Sequence, residues 1–249
     1  MRAVLILFQL DGGDYNLNSM SQFSNESFYQ LASSCQIPNL QHLYKLFLGY
    51  KTDGYFVEVG AYDGEYVSNT SGLADLGWQG IYIEPVEQYF KACLNRHSNN
   101  SVRVIHCAAG NKEAEIEIYV GGPLSSMSAE TVARFQDFDW AKGFHNGQKE
   151  KVMQSTLDDI LIRNNAPIGF DILSVDVEGY ELNVFQGFSI NKWKPKMIIV
   201  ELHDNNYVYP HQWSECDQID QFLRDAEYRI IYKDYSNTIF ISKGLKRHQ

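Results

Sequence analysis

The segment Phe56-Val57-Glu58-Val59-Gly60-Ala61-Tyr62-Asp63-Gly64 runs from an apolar stretch into a turn with glycines four apart. A ligand lying against a strand end needs backbone without Cβ atoms there, so that it can approach closely. An acid at that end, Glu58, suits the ammonium of an amino-acid-like ligand. The pyrophosphate of a dinucleotide asks for the opposite, N–H groups at a helix N-terminus and no nearby carboxylate. The spacing here is also G-x-x-x-G rather than G-x-G-x-x-G. A second apolar run ends at Ile83-Glu84-Pro85, where a carboxylate can accept both hydroxyls of a ribose. A third ends in the small residues of His106-Cys107-Ala108-Ala109-Gly110, which leave room for a flat adenine. Together these favour S-adenosylmethionine (SAM) over a dinucleotide. The expected cofactor-binding set is Glu58, Gly60, Ala61, Tyr62, Asp63, Gly64, Glu84, Pro85, Cys107, Ala108 and Ala109.

A sulfonium methyl is already activated, so the protein must supply alignment and a dry site. An alcohol acceptor also needs a base for its proton, typically worth about 10²–10⁴-fold. Asp176 ends the fourth apolar run and is the first candidate for base or acceptor ligand; Glu178 and His203 follow. Acids at these positions also favour the N-terminus of a following helix, and Glu181 is read as a support for that helix. Asp176, Glu178, Glu201, His203 and Asp204 could gather a divalent cation, since hard cations prefer carboxylate oxygen. Their convergence is not visible in sequence, so no metal is assigned and a cation is not favoured.

The elements that must position these residues alternate. Strands are predicted at Tyr55–Val59, Gly80–Ile83, Val102–Cys107, Phe170–Val175 and Met197–Val200. Helices are predicted at Ser68–Leu76, Val86–His97 (with Val86, Tyr89, Phe90, Cys93 and Leu94 on one face), from Thr156 to about Arg163, Glu181–Phe185 and Trp213–Ala226. Such alternation marks a parallel sheet covered on both faces, with Tyr228–Tyr232 and Thr238–Ser242 as a closing antiparallel pair. Glu115–Val120 and Lys149–Met153 read as an excursion over about 115–153, and residues 121–148 between them show no clear period. Aromatics there, Phe135, Phe138, Trp140 and Phe144 with His145, could line an acceptor pocket or form a small core. Residues 1–50 read as an N-terminal extension, a polar loop or lid and then a helix carrying Leu40, Leu43, Tyr44, Phe47 and Leu48. The apolar run Ala3–Phe8 reads as a strand or packed terminal segment, and the basic tail Lys243–Gln249 is expected to fray.

The chain has 249 residues, enough for one substantial α/β domain, and a formal charge of −10. That charge argues against broad binding to nucleic acid, whose phosphates demand a basic face. The four cysteines form no C-x-x-C pair and no zinc spacing with histidine. With no span long enough for a membrane and no cleavage signal in sight, a cytoplasmic protein with reduced thiols is expected.

Over roughly residues 52–242 the sequence resembles the FkbM family of SAM-dependent methyltransferases. The most specific part is Asp171-Ile172-Leu173-Ser174-Val175-Asp176-Val177-Glu178-Gly179-Tyr180-Glu181, followed by Val184-Phe185-Gln186-Gly187-Phe188. Glu58–Gly64, Ile83-Glu84-Pro85, Ala108-Ala109-Gly110 and Thr156-Leu157-Asp158 match the family's other blocks in order. The resemblance implies a class I SAM-dependent methyltransferase (Rossmann-like) fold, with a mostly parallel seven-stranded sheet and helices on both faces. It also implies methyl transfer, commonly to an oxygen of a sugar, glycan or secondary metabolite. Two positions depart: Ser174 stands where many members carry Lys, and Tyr62 where a small polar residue is common. The competing readings are an NAD-linked oxidoreductase, weakened by the missing glycine fingerprint, and a SAM-fold binding module without catalysis.

Overall fold

The computed structural model describes residues 28–203 and 212–248. The expectations for Ala3–Phe8, for most of the N-terminal loop and for Asp204 lie outside the described residues.

Among the described residues the main sheet has seven strands. In chain order they are β1 (Tyr55–Val59), β2 (Gln79–Ile83), β3 (Val102–Ile105), β7 (Ile172–Val175), β8 (Met197–Glu201), β9 (Tyr228–Lys233) and β10 (Asn237–Ser242). Their spatial order is β3-β2-β1-β7-β8-β10-β9. The pairs from β3 through β8 are all parallel, while β10 runs antiparallel to both β8 and β9. The sheet is therefore mostly parallel, and β9–β10 is the closing antiparallel pair.

Alternate residues of the strands point to opposite faces, and each face is covered. Val57, Val59, Ile81, Ile83, Leu173, Val175, Ile198 and Val200 pack with α5 (Leu157–Arg163), α6 (Glu181–Gln186) and α8 (Trp213–Asp225). Phe56, Tyr82, Ile172, Met197 and Ile199 pack on the other face with α1 (Leu40–Leu48), α2 (Ser71–Asp75) and α3 (Glu87–Arg96). The buried residues of α1 are Leu40, Leu43, Tyr44, Phe47 and Leu48, the helical stripe of the sequence. Residues 28–50 thus share the core of the sheet, with Tyr29 fully enclosed and its hydroxyl donating to the Gly49 carbonyl at 2.7 Å.

Some elements differ from expectation. The third strand stops at Ile105, because the Cys107 N–H turns back onto the Ile105 carbonyl at 3.1 Å. The chain then starts a second sheet. There β4 (Ala108–Gly110) pairs in parallel with β6 (Lys149–Thr156), whose other edge takes β5 (Ala114–Tyr119) antiparallel. The aperiodic stretch contains a helix, α4 (Ala129–Phe135), capped by the Ser128 hydroxyl accepting from the Thr131 N–H. A short helix, α7 (Ile190–Trp193), precedes β8. On α3, Leu94 is 49% exposed rather than on the buried face. The C-terminal tail is tied down, with the His248 N–H donating to the Leu46 carbonyl at 2.8 Å.

Candidate active site

The cofactor-binding candidates from Glu58 to Pro85 lie at the carboxyl ends of β1 and β2, which backbone bonds lock to each other and to the end of β7. The N–H groups of Gly60 and Ala61 both donate to the Ile83 carbonyl, at 3.0 and 3.1 Å. The Asp176 N–H donates to the Val59 carbonyl, and the Glu84 N–H to the Ile105 carbonyl, each at 3.0 Å. Gly60 has φ 86°, and a Cβ there would collide with the Asp176 carbonyl oxygen. Gly64 has φ 78°, and a Cβ there would press on the Cys93 sulfur at 2.8 Å and the His97 ring at 2.9 Å. Both glycines are thus required by the protein's own packing, a reason the ligand-approach argument did not contain.

Glu84 is 5% exposed. Its Oε2 accepts the Tyr62 N–H and its Oε1 the Val86 N–H, both at 2.8 Å. Burial pushes this carboxyl up to about 8, against the lowering effect of those two donors. Each oxygen keeps a further lone pair, so a ribose diol can be accepted by a carboxylate already fixed in place. Tyr62 reaches its donor position with φ 48° and packs its ring on Tyr89 at 4.4 Å. Asp63 closes the turn, its Oδ1 accepting from the N–H groups of Glu65 and Tyr66. The Pro85 carbonyl lies 3.0 Å from His106 Nε2.

Glu58 sits differently from the sequence expectation. Its Oε2 accepts hydroxyls from Ser68 (3.0 Å) and Thr70, which tie it to the entry of α2. Its Oε2 anchors that loop. Burial pushes it up to about 7. The strand register sets Ser174 beside it, and Ser174 Oγ accepts from Asn69 Nδ2 at 3.1 Å. No cation stands at that position to offset the burial.

Ala108 and Ala109 are displaced from their expected place at the tip of β3. Both are buried on β4, Ala108 against Val86, Ile118 and Val152, and Ala109 in the main core. Cys107, at the turn between the sheets, is partly buried, and desolvation pushes its thiol up to about 12.

The acids converge. The register places Val175 opposite Val200, so the next residues, Asp176 and Glu201, emerge side by side. Carboxylate oxygens of Asp176, Glu178 and Glu201 lie within 4.8 Å of one another. Burial, and then the Glu201 charge, hold both Asp176 and Glu178 well above the usual carboxylate range. His203 is buried and its Nε2 lies 3.2 Å from Glu201 Oε1. Glu178 has φ 54° and Gly179 φ 87°. Two features hold this bend: the Ser126 hydroxyl donates to the Glu178 carbonyl (2.6 Å), and Glu181 Oε1 accepts the N–H groups of Val177 (3.0 Å) and Gly179 (3.2 Å). Glu181 therefore holds the bend before α6. Asp171, at the other end of β7, is structural: its carboxylate takes Lys51 and Lys196 ammonium groups and the Tyr55 N–H.

The aromatics of the excursion divide. Phe135 and Ala141 are fully buried with Leu124 and Phe138, and Phe135 stacks on His145 at 5.7 Å, which makes a small core. Trp140 and Phe144 remain exposed.

No helix among the described residues is long and apolar enough to cross a membrane. No curated protein matches the sequence. The chain is similar in structure to an O-methyltransferase from Bacillus cereus in complex with SAH, at 14% identity and TM-score 0.45, covering 85% of this chain and 84% of that one. It is also similar to the METTL16 MTase domain, at 10% identity and TM-score 0.47, covering 81% of this chain and spanning 65% of that one. A third is Aeropyrum pernix fibrillarin with natively bound S-adenosyl-L-methionine, at 11% identity and TM-score 0.39, covering 76% and 68%. In sequence, residues 58–230 match the methyltransferase FkbM domain. That match runs from Glu58, near the end of β1, through the Glu84 turn, the second sheet and the whole acidic cluster, and the chain belongs to the FkbM methyltransferase family.

Proposed function

We propose that this protein transfers a methyl group from SAM to a hydroxyl oxygen of a sugar, glycan or secondary metabolite. The observation that carries this reading is Glu84: a buried carboxylate at the tip of β2, fixed by two backbone N–H groups beside the Gly60 turn. Such a group suits a ribose diol, and the family membership supports methyl transfer as the reaction.

When bound, the sulfonium supplies an electrophilic methyl carbon. Glu84 orients the nucleoside, and the tips of β1, β2 and β7 define the floor on which acceptor and donor meet. Asp176 would accept the proton that the acceptor hydroxyl gives up. His203, next to Glu201, is the alternative proton acceptor, and Glu178 is placed to bind the acceptor. The exposed rings of Trp140 and Phe144 offer apolar faces of the kind sugars stack on.

Calorimetry with SAM, its demethylated product and NAD tests the reading. Binding of the two SAM-type ligands alone is expected. Binding of NAD instead points to an oxidoreductase. SAM binding without labelled methyl transfer to any acceptor in a broad screen points to a binding module.

A further inference from the structure

We propose that Tyr89, on the first turn of α3, is a positioning residue for cofactor binding: its ring props Tyr62 so that the Tyr62 N–H holds Glu84 toward the ribose. The proposal rests on the ribose reading of Glu84 and adds to it what aims that carboxylate.

Glu84 is aimed from two sides. Its Oε1 takes the Val86 N–H and its Oε2 the Tyr62 N–H, both at 2.8 Å. The Val86 side chain is fully buried in the core of the second sheet, with Ala108, Ile118, Val120 and Val152. Tyr62 is held differently. It is partly exposed and adopts φ 48°, a left-handed conformation that costs free energy in a residue with a Cβ. The contact that offsets this cost is its ring on Tyr89, with centroids 4.4 Å apart and planes at 53°. Tyr66 meets the Tyr62 ring at 6.3 Å but is itself 50% exposed, so it is the weaker support.

Tyr89 is in turn seated on the second sheet and its insert. Its ring packs against the same core that buries Val86. Its hydroxyl is hydrogen-bonded to the backbone at Gly122. Gly122 has φ 64°, and a Cβ there would lie 4.0 Å from that hydroxyl and 3.4 Å from the Phe144 ring. The start of α3 is tied to β6 as well, the Glu87 N–H donating to Glu150 Oε2 at 3.2 Å. Both donors to Glu84 therefore take their positions from outside the main sheet. Loss of the Tyr89 ring leaves the Val86 bond intact and frees the Tyr62 side. A carboxylate that must then be oriented during binding gives up part of its affinity for the diol.

Calorimetry with SAM on the full chain tests this in the parent, Tyr89→Ala, Glu84→Gln and the double variant. Tyr89→Ala should weaken binding by about fivefold, the scale of one aromatic pair. Glu84→Gln should weaken it by about tenfold. Because both act on one carboxylate, the double variant should bind within about twofold of Glu84→Gln alone. The conservative Tyr89→Phe keeps the ring and should restore binding to within about twofold of the parent. Tyr62→Ala removes the same contact from the other side; it should match Tyr89→Ala, and it takes that variant's place if Tyr89→Ala does not fold. Unchanged dissociation constants in Tyr89→Ala and Tyr62→Ala overturn the proposal. So does a double variant in which the two losses multiply in full, the mark of groups that act independently. If Glu84→Gln weakens binding and the tyrosine variants do not, the ribose reading stands and the prop alone falls. If Glu84→Gln binds SAM as the parent does, the ribose reading falls and this inference with it.

Discussion

The carbonyl of Asp176 occupies the space that a side chain at Gly60 would need. The turn after β1 and the end of β7 are therefore packed backbone to backbone, and neither can move without the other. The residue expected to take the acceptor proton is thus fixed relative to the residue that opens the cofactor turn.

Gly60→Ala tests that contact. The methyl would meet a backbone atom at a positive φ, so both strain and overlap oppose it. A loss of about 3 kcal/mol or more in urea-induced unfolding is expected. A variant as stable as the parent would mean that β1 and β7 are not in this contact.

Glu84→Gln should weaken SAM binding by about tenfold, the loss that goes with one hydrogen bond to a charged group. Calorimetry reads this directly. The amide also meets the Tyr62 or Val86 N–H with a donor, so thermal unfolding should be recorded alongside. An unchanged dissociation constant would remove Glu84 from the ribose assignment.

Asp176→Asn should leave SAM binding within about twofold while single-turnover methyl transfer falls by about 10²-fold or more. Equal turnover in the two proteins would exclude Asp176 from proton transfer.

Several buried carboxyls set the pH dependence of stability, and Glu84, Glu58 and Asp171 show its two signs. Glu84 and Glu58 are raised in the folded protein, to about 8 and about 7 from 4.5. Between the unfolded and folded values the native state holds more protons than the unfolded chain, so stability falls as pH rises through that window. Asp171 is the opposite case: burial opposes ionisation, but the Lys196 and Lys51 ammonium groups hold it below its usual range. Its contribution is present above the ordinary carboxylate value and is lost as pH falls through its lower folded value. The ligand-free protein should therefore melt highest near about pH 5 and at lower temperatures at pH 8. A melting temperature that climbs steadily from pH 5 to pH 8 would contradict the burial of Glu58 and Glu84.

Much of the architecture could be read from residue order, because local patterns encode it. The stripe on α1, the strands ending at Val59 and Ile83, the Thr156 cap and the β5–β6 pairing all follow from spacing within a few residues. The break after Ile105 is hidden because Val102 to Ala109 is apolar apart from Arg103 and His106, and a strand that changes sheets keeps the same pattern. Helix α4 had a usable signal in Ser128 followed by Ala129-Glu130, masked by the surrounding aromatics. The hydroxyls of Ser68 and Thr70 that hold Glu58, and Ser126 behind Glu178, carry no local mark at all. Nor does the meeting of Asp176 with Glu201, which depends on the register between two strands and emerges only when the sheet forms.

Ser126 belongs to the excursion, yet its hydroxyl grips the main chain at Glu178. The insert and the acidic cluster are consequently one mechanical unit. Under the proposed function, an acceptor that settled on the insert and shifted Ser126 would tug directly on the bend at Glu178, so rim and centre would share a single latch.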